Sequence, residues 1–187
     1  MVTEKATNRI LSYPLFSGVA GAPKVTPSAG VTPFGFTFGG AYHDVLLVSE
    51  AFTGAPNASA ASSYKVGPGG ALTLVSASVP THQTAACWFA ATPNGAYGFA
   101  TNTGSASISR YNVEPNGVLR LNPATGVAAT TGAGPADAAR TPDGAFLYTL
   151  ASAAHQIDGY ALGGIGALPT IETQPGVPPA AAGLVAK

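Results

Sequence analysis

Charge is what this sequence has least of. Asp, Glu, Lys and Arg make up 9% of 187 residues, eight acidic and eight basic, for a formal net charge of zero. An average soluble domain carries about 25%. A chain without net charge has no long-range field to draw it to nucleic acid or to an anionic membrane surface, so neither is expected as a partner. Cysteine is almost absent: Cys87 stands alone, which excludes an intrachain disulfide. Long apolar runs are missing, because Gly, Pro, Ser or Thr interrupts each one well short of the ~18 residues of a membrane-spanning helix. The opening Met1-Val-Thr-Glu-Lys5 lacks a basic segment followed by an apolar one. It therefore reads as cytoplasmic as written, and as exported if a leader precedes it. Amphipathic helical periodicity longer than two turns is also lacking.

Several motifs are missing as well. The three histidines (His43, His82 and His155) show neither H-x-H nor H-x-x-E-H spacing, so no metal site and no cofactor are expected. No G-x-S-x-G nucleophile elbow occurs. Gly132-Ala-Gly134 opens like a dinucleotide loop, but Pro135 follows and no helix is expected there. Asn57-Ala-Ser59 is a formal glycosylation sequon in a loop.

What the sequence does have is turn residues and repetition. Gly (24) and Pro (16) are abundant, while a hydrophobic share of 46% argues against disorder. Tyr13, Tyr64, Tyr111 and Tyr160 occupy similar frames at separations of 51, 47 and 49 residues. The turn glycines Gly21, Gly70, Gly117 and Gly166 recur at 49, 47 and 49. A third series, Val2-Thr-Glu4, Val48-Ser-Glu50, Ala100-Thr-Asn102 and Tyr148-Thr-Leu150, recurs at 46, 52 and 48. Within each period the segments are short, β-branched and aromatic, and they end at turn signals such as Thr92-Pro-Asn-Gly95 and Thr141-Pro-Asp-Gly144. The third period predicts strands at 85–91, 97–101, 107–113 and 119–122. Four short strands repeated about every 50 residues predict an all-β fold, a β-propeller with about four blades. The blades are expected at 1–30 with 179–187, 33–79, 84–130 and 135–174. Residues 179–186 read as a lone first strand that completes the N-terminal blade. The four blades either close by themselves or form part of a larger ring, with self-association through open blade edges as the further possibility.

Strand direction alternates in such a blade, so fourth-to-first and second-to-third loops share one face. The tight hairpins tile the other. The loop-rich face collects Glu4, Lys5, Asn8, Glu50, His82, Gln83, Asn102, Thr103 and His155. Glu4 and Glu50 end equivalent second strands, and paired carboxylates divide acid and base roles when their surroundings separate their pKa values. With His82 they form the candidate catalytic set; Lys5, Asn8, Gln83, Asn102 and His155 form the candidate substrate-binding set. The competing reading makes the strand-end glutamates anchors for backbone amides between neighbouring blades. The tyrosine series reads as inter-blade packing, and Asp137 and Arg140 as a structural pair. Cys87, in the apolar run Ala85-Ala-Cys-Trp-Phe89, lacks the basic setting of a nucleophile.

The segments Val2-Thr-Glu-Lys-Ala-Thr-Asn-Arg-Ile10, Thr32-Pro-Phe-Gly-Phe36, Val48-Ser-Glu-Ala51, Gln83-Thr-Ala-Ala-Cys-Trp88 and Thr101-Asn-Thr-Gly104 resemble the lactonase family of seven-bladed β-propellers. That family includes 6-phosphogluconolactonase-like proteins and fungal carboxymuconate-cyclising enzymes. The resemblance implies the C-terminal four blades of such a ring. It also implies a hydrolase of small sugar or carboxylate lactones, or the reverse cyclisation, with a small-molecule lactone as the ligand. The alternative is a non-catalytic propeller that binds a small molecule or a protein, including an inactive truncated form.

Overall fold

The computed structural model describes residues 1–41 and 43–187. It is a β-propeller built from four successive antiparallel sheets. Blade I contains β1 (Val2–Glu4) and β2 (Arg9–Ser12), then a small side hairpin of β3 (Leu15–Phe16) and β4 (Val19–Ala20), and finally β5 (Lys24–Pro27). Blade II contains β6 (Pro33–Gly39), β7 (Val45–Glu50), β8 (Ala60–Val66) and β9 (Leu72–Pro80). Blade III contains β10 (Ala86–Ala91), β11 (Tyr97–Asn102), β12 (Ser107–Val113) and an outer strand split into β13 (Leu119–Leu121) and β14 (Ala129–Thr130). The split falls at Asn122-Pro123, where proline has no N–H to give to the ladder. Blade IV contains β15 (Pro135–Arg140), β16 (Phe146–Ala151), β17 (Gln156–Ala161) and β18 (Thr170–Pro175).

The hydrophobic core lies between the blades. Ile10 packs with Leu46, Val48 and Tyr64; Val45 and Leu47 pack with Phe89 and Tyr111; Phe99 and Ile108 pack with Leu147 and Tyr160. Period-two alternation produces this, because each sheet buries both of its faces against neighbours. Close approach of the inner strands needs glycine at Gly35, where an added Cβ would stand 2.5 Å from the Cys87 carbonyl oxygen. At the hairpin tips Gly95 (φ +67°) would drive a Cβ to 2.1 Å from the Gly40 carbonyl.

The tyrosine repeat is an inter-blade fastening. The Tyr64 hydroxyl accepts from the Ala29 amide at 2.7 Å, Tyr111 donates to the Val79 carbonyl at 2.9 Å, and Tyr160 donates to the Thr130 carbonyl at 2.6 Å. Each reaches the end of the preceding blade. Tyr13 has no preceding blade in this chain, and it is 36% exposed. Tyr111→Phe is expected to lower the unfolding free energy by about 1 kcal/mol, since it strands the Val79 carbonyl. Tyr13→Phe is expected to leave it within about 0.5 kcal/mol. Urea unfolding followed by circular dichroism measures both.

Two sequence expectations need correction. Strand pairing sets Glu4 opposite Arg9, Glu50 opposite Ala60, Asn102 opposite Ser107 and Ala151 opposite Gln156. The fourth member of the third series is therefore Thr149-Leu-Ala151, one residue later than the similarity of Tyr148-Thr-Leu150 suggests. Register is fixed by backbone pairing, and side-chain likeness at a strand end does not constrain it. Residues 179–186 form no strand, and blade I has only three strands in its sheet. Blade IV holds this tail: Gly176 and Val177 donate to the His155 carbonyl, each at 3.0 Å, and Leu184 donates to Asp137 at 2.7 Å. Pro178 and Pro179 have no N–H to offer a ladder.

Candidate functional site

Each inner strand starts with the same irregularity. Register shifts lie between Pro33 and Phe36 in β6, Ala86 and Phe89 in β10, and Pro135 and Asp137 in β15. Such bulges re-aim side chains at strand ends, here at the loop-rich face. A cavity of about 240 Å³ opens there, lined by Lys5, Thr32, Phe34, Thr53, Cys87 and Thr103 among others. The Lys5 ammonium stands 5.4 Å from the centre of the Phe34 ring, an attractive cation–π placement.

Cys87 donates its thiol to the Ala136 carbonyl at 3.4 Å. Burial pushes the thiol pKa up; the Thr103 hydroxyl and the Lys5 charge pull it down, and the Asp137 carboxylate adds to the rise. Lys5 of blade I and Cys87 and Thr103 of blade III line this cavity together; Asp137 of blade IV is not among its lining residues, though its charge is felt at the Cys87 thiol. Asp137 is 7% exposed. Burial raises its carboxyl above the usual range, against the pull of two amides, Ala138 and Leu184, each at 2.7 Å. Thr103 is held by donation to the Pro135 carbonyl at 2.9 Å.

Of the eight site residues expected from sequence, Lys5 alone lines this cavity. Glu50 is 0% exposed and wholly committed: it accepts from the Gly30 amide at 2.8 Å, Ser62 at 2.5 Å and Ser78 at 2.7 Å. That is the anchor between blades. Blade IV repeats it from another strand, where Asp158 accepts the Gly132 amide at 2.7 Å. Glu4 is the exposed counterpart on blade I, bonded to Thr7 and paired in register with Arg9. His82 and His155 are exposed at positive φ, +58° and +55°. Asn8 braces a loop through the Thr32 amide at 2.7 Å. Gln83 donates to the Thr125 carbonyl at 3.2 Å, and buried Asn102 donates to Ser107 and Ser109 at 3.1 and 2.9 Å. The structure thus does not bring Glu4, Glu50 and His82 together.

Asp137 and Arg140 do not pair. An offset of three along a strand sends them to opposite faces. Arg140 donates instead to the Ala91 carbonyl at 2.7 Å and the Thr141 carbonyl at 3.0 Å. A second, larger cavity of about 530 Å³ follows the inner strands past Phe36, Phe38, Trp88 and Arg140. Among the described residues, no three of His, Cys, Asp and Glu gather as a metal-binding set.

Sequence reasoning set Cys87 and Asp137 aside. The available signal was Pro135-Ala-Asp-Ala-Ala139, a carboxylate set among alanines on an inner strand, where burial raises its pKa.

These features define an all-β propeller whose inner strands converge on a loop-face cavity. No family model matches the chain, and no curated protein matches it by sequence. Solved structures do match. A functionally unknown protein of Desulfotomaculum acetoxidans superposes with a TM-score of 0.71 at 16% identity, over 88% of this chain and 48% of its own. A candidate 6-phosphogluconolactonase of Bacteroides uniformis gives 0.68 at 20% identity, over 89% and 49%. A protein of Lactobacillus plantarum gives 0.71 at 19% identity, over 96% and 53%. The chain shares the β-propeller fold of these structures and spans about half their length.

Proposed function

We propose that the protein hydrolyses small lactones at the cavity formed by Lys5, Cys87 and Thr103. The observation that carries this is the convergence of the Lys5 ammonium and the Thr32, Thr53 and Thr103 hydroxyls from three blades onto one pocket, with the buried Asp137 carboxyl, its pKa raised, near the Cys87 wall. Phe34 and the alanine wall suit the ring carbons of a lactone. Lys5 faces the carbonyl oxygen and balances the oxyanion that forms on attack. Asp137 takes a proton from the attacking water. When the acyl–oxygen bond of the ring breaks, the alkoxide recovers that proton, leaving a hydroxy acid. Cys87 is a spectator whose raised pKa keeps it a thiol. The candidate 6-phosphogluconolactonase among the structural neighbours supports the reading at the level of fold.

A base works in its ionised form, and burial raises the pKa of Asp137. Turnover is therefore expected to rise with pH through an inflection above the ordinary carboxylate range, and to vanish below it. The test is pH-stat titration of purified chain with a panel of γ- and δ-lactones, sugar lactones included. Acid release no faster than spontaneous hydrolysis across the panel would sink the proposal. One observation favours a second reading, binding without turnover: both Asp137 oxygens already accept amides. Saturable lactone binding by calorimetry with no acid release would establish it.

A further inference from the structure

The larger cavity, of about 530 Å³, shares no lining residue with the lactone pocket. Its walls come from Phe36 to Pro142, all within blades II, III and IV. Those blades are joined inside the chain, by Tyr111 on the Val79 carbonyl and Tyr160 on the Thr130 carbonyl. The cleft therefore draws on no residue before blade II or after blade IV. It follows the inner strands, the surface that a propeller of any blade number turns towards its central channel. Cys87 and Trp88 are neighbours on β10 but line different cavities, as the alternation of a strand requires.

One wall of the cleft is aromatic. Phe36 and Phe38, two apart on β6, meet edge to face with ring centres 6.5 Å apart and planes at 85°. Trp88 adds a third ring, and Trp88 and Phe38 are each 38% exposed. Ala90, Ala91 and Ala138 line the cleft with small side chains, and Thr37 supplies the one side-chain hydroxyl among the lining residues. Phe38, Ala91 and Arg140 occupy corresponding places near the ends of β6, β10 and β15, paired with Leu46, Gly98 and Leu147. The small Ala91 thus separates a ring from a guanidinium.

Arg140 is held but not neutralised. Its Nε donates to the Ala91 carbonyl at 2.7 Å, and Nη1 donates to the Thr141 and Pro142 carbonyls at 3.0 and 3.3 Å. These uncharged acceptors fix the plane of the fork and leave Nη2 without a partner among the described residues. The ion pairs there are Lys65 with Asp44 and Arg120 with Glu114. Asp143, close by in sequence, accepts instead from the Thr141 hydroxyl and from the Ala145 amide at 3.0 Å.

We propose that this cleft binds an aromatic carboxylate, its ring against Phe36, Phe38 and Trp88 and its carboxylate on Arg140 Nη2. A guanidinium already oriented by carbonyls loses little freedom on meeting a carboxylate, and exposed rings favour a flat apolar partner. A sugar acid fits less well, because the lining side chains offer one hydroxyl for its several.

Trp88 is the sole tryptophan, so its fluorescence reports from the cleft itself. Titration with benzoate is expected to give a saturable change, with a matching dissociation constant by calorimetry. Benzyl alcohol, which lacks the charge, and gluconate, which lacks the ring, are each expected to bind roughly tenfold more weakly or worse. Arg140→Met is expected to weaken benzoate binding by a similar factor with its circular dichroism retained, whereas Lys5→Met, in the other cavity, leaves it unchanged. Should Arg140→Met fail to fold, Phe38→Ala, at an exposed ring, is the deciding variant, with weaker benzoate binding expected. Benzoate binding weaker than about 10 mM would overturn the proposal. Equal affinity for benzyl alcohol or gluconate, undiminished binding by folded Arg140→Met or Phe38→Ala, or loss of binding in Lys5→Met would do the same.

Discussion

Glu50→Ala is expected to lower the unfolding free energy by about 3–5 kcal/mol, because hydrogen bonds to a buried charged group contribute more than neutral ones and their loss strands donors. The carboxylate is fully enclosed and gathers the Gly30 amide and the hydroxyls of Ser62 and Ser78. The serine hydroxyls can rotate to new acceptors; the Gly30 amide cannot, and its removal from Glu50 loosens the joint between blades I and II. Domains of this size are typically stable by about 5–15 kcal/mol, so the variant would sit near the edge of folding at room temperature. Glu50→Gln keeps the shape and one acceptor oxygen, and it is expected to cost roughly half as much. Urea titration followed by fluorescence of Trp88 and by circular dichroism measures both. Full stability of Glu50→Gln together with lost turnover would return Glu50 to the catalytic set and refute its role as an anchor.

Asp137→Asn is expected to reduce kcat/KM for any lactone substrate by about a hundredfold to ten-thousandfold, the usual contribution of a positioned general base. Lys5→Met is expected to reduce it by about a hundredfold, through loss of charge opposite the oxyanion. Structural damage predicts a different pattern. A buried carboxyl whose pKa is raised on folding binds its proton more tightly in the folded chain. It therefore favours the folded state at low pH and costs stability as pH rises from the ordinary carboxylate range through the raised value. Asparagine removes that cost and retains an acceptor for the Leu184 amide. Asp137→Asn is thus expected to hold or raise Tm at neutral pH while turnover collapses and the acid inflection disappears. His82→Ala, on an exposed loop residue away from the cavity, is expected to change nothing measurable. Loss of turnover in His82→Ala with retention in Asp137→Asn would overturn the assignment.

Much of the fold was legible because β-propellers repeat. Tyr13, Tyr64, Tyr111 and Tyr160 mark third strands because each blade needs a large amphipathic residue to span the gap to its neighbour. The Asn-Gly and Asp-Gly turns mark hairpins because few other residues accept their backbone angles. The site was less legible. Glu50 looked available from its loop-end position, yet its partners Gly30, Ser62 and Ser78 come from three other segments of chain. Cys87 looked inert in an alanine-rich strand, yet the bulged start of β10 sets it in the cavity wall with Lys5.

The sequence by itself determined the strand count per repeat, the period and the face on which loops gather. These depend on backbone preferences of residues close together along the chain. Only the tertiary structure decided which polar side chains are consumed by the joints between blades and which are left to a cavity. Glu4, Glu50, Asn102 and Ala151 occupy one repeat position but meet solvent, a closed cage, two serines and a packed interior. Their environments are set by residues tens of positions away, and a local pattern carries no information about how those distant groups share the available hydrogen bonds.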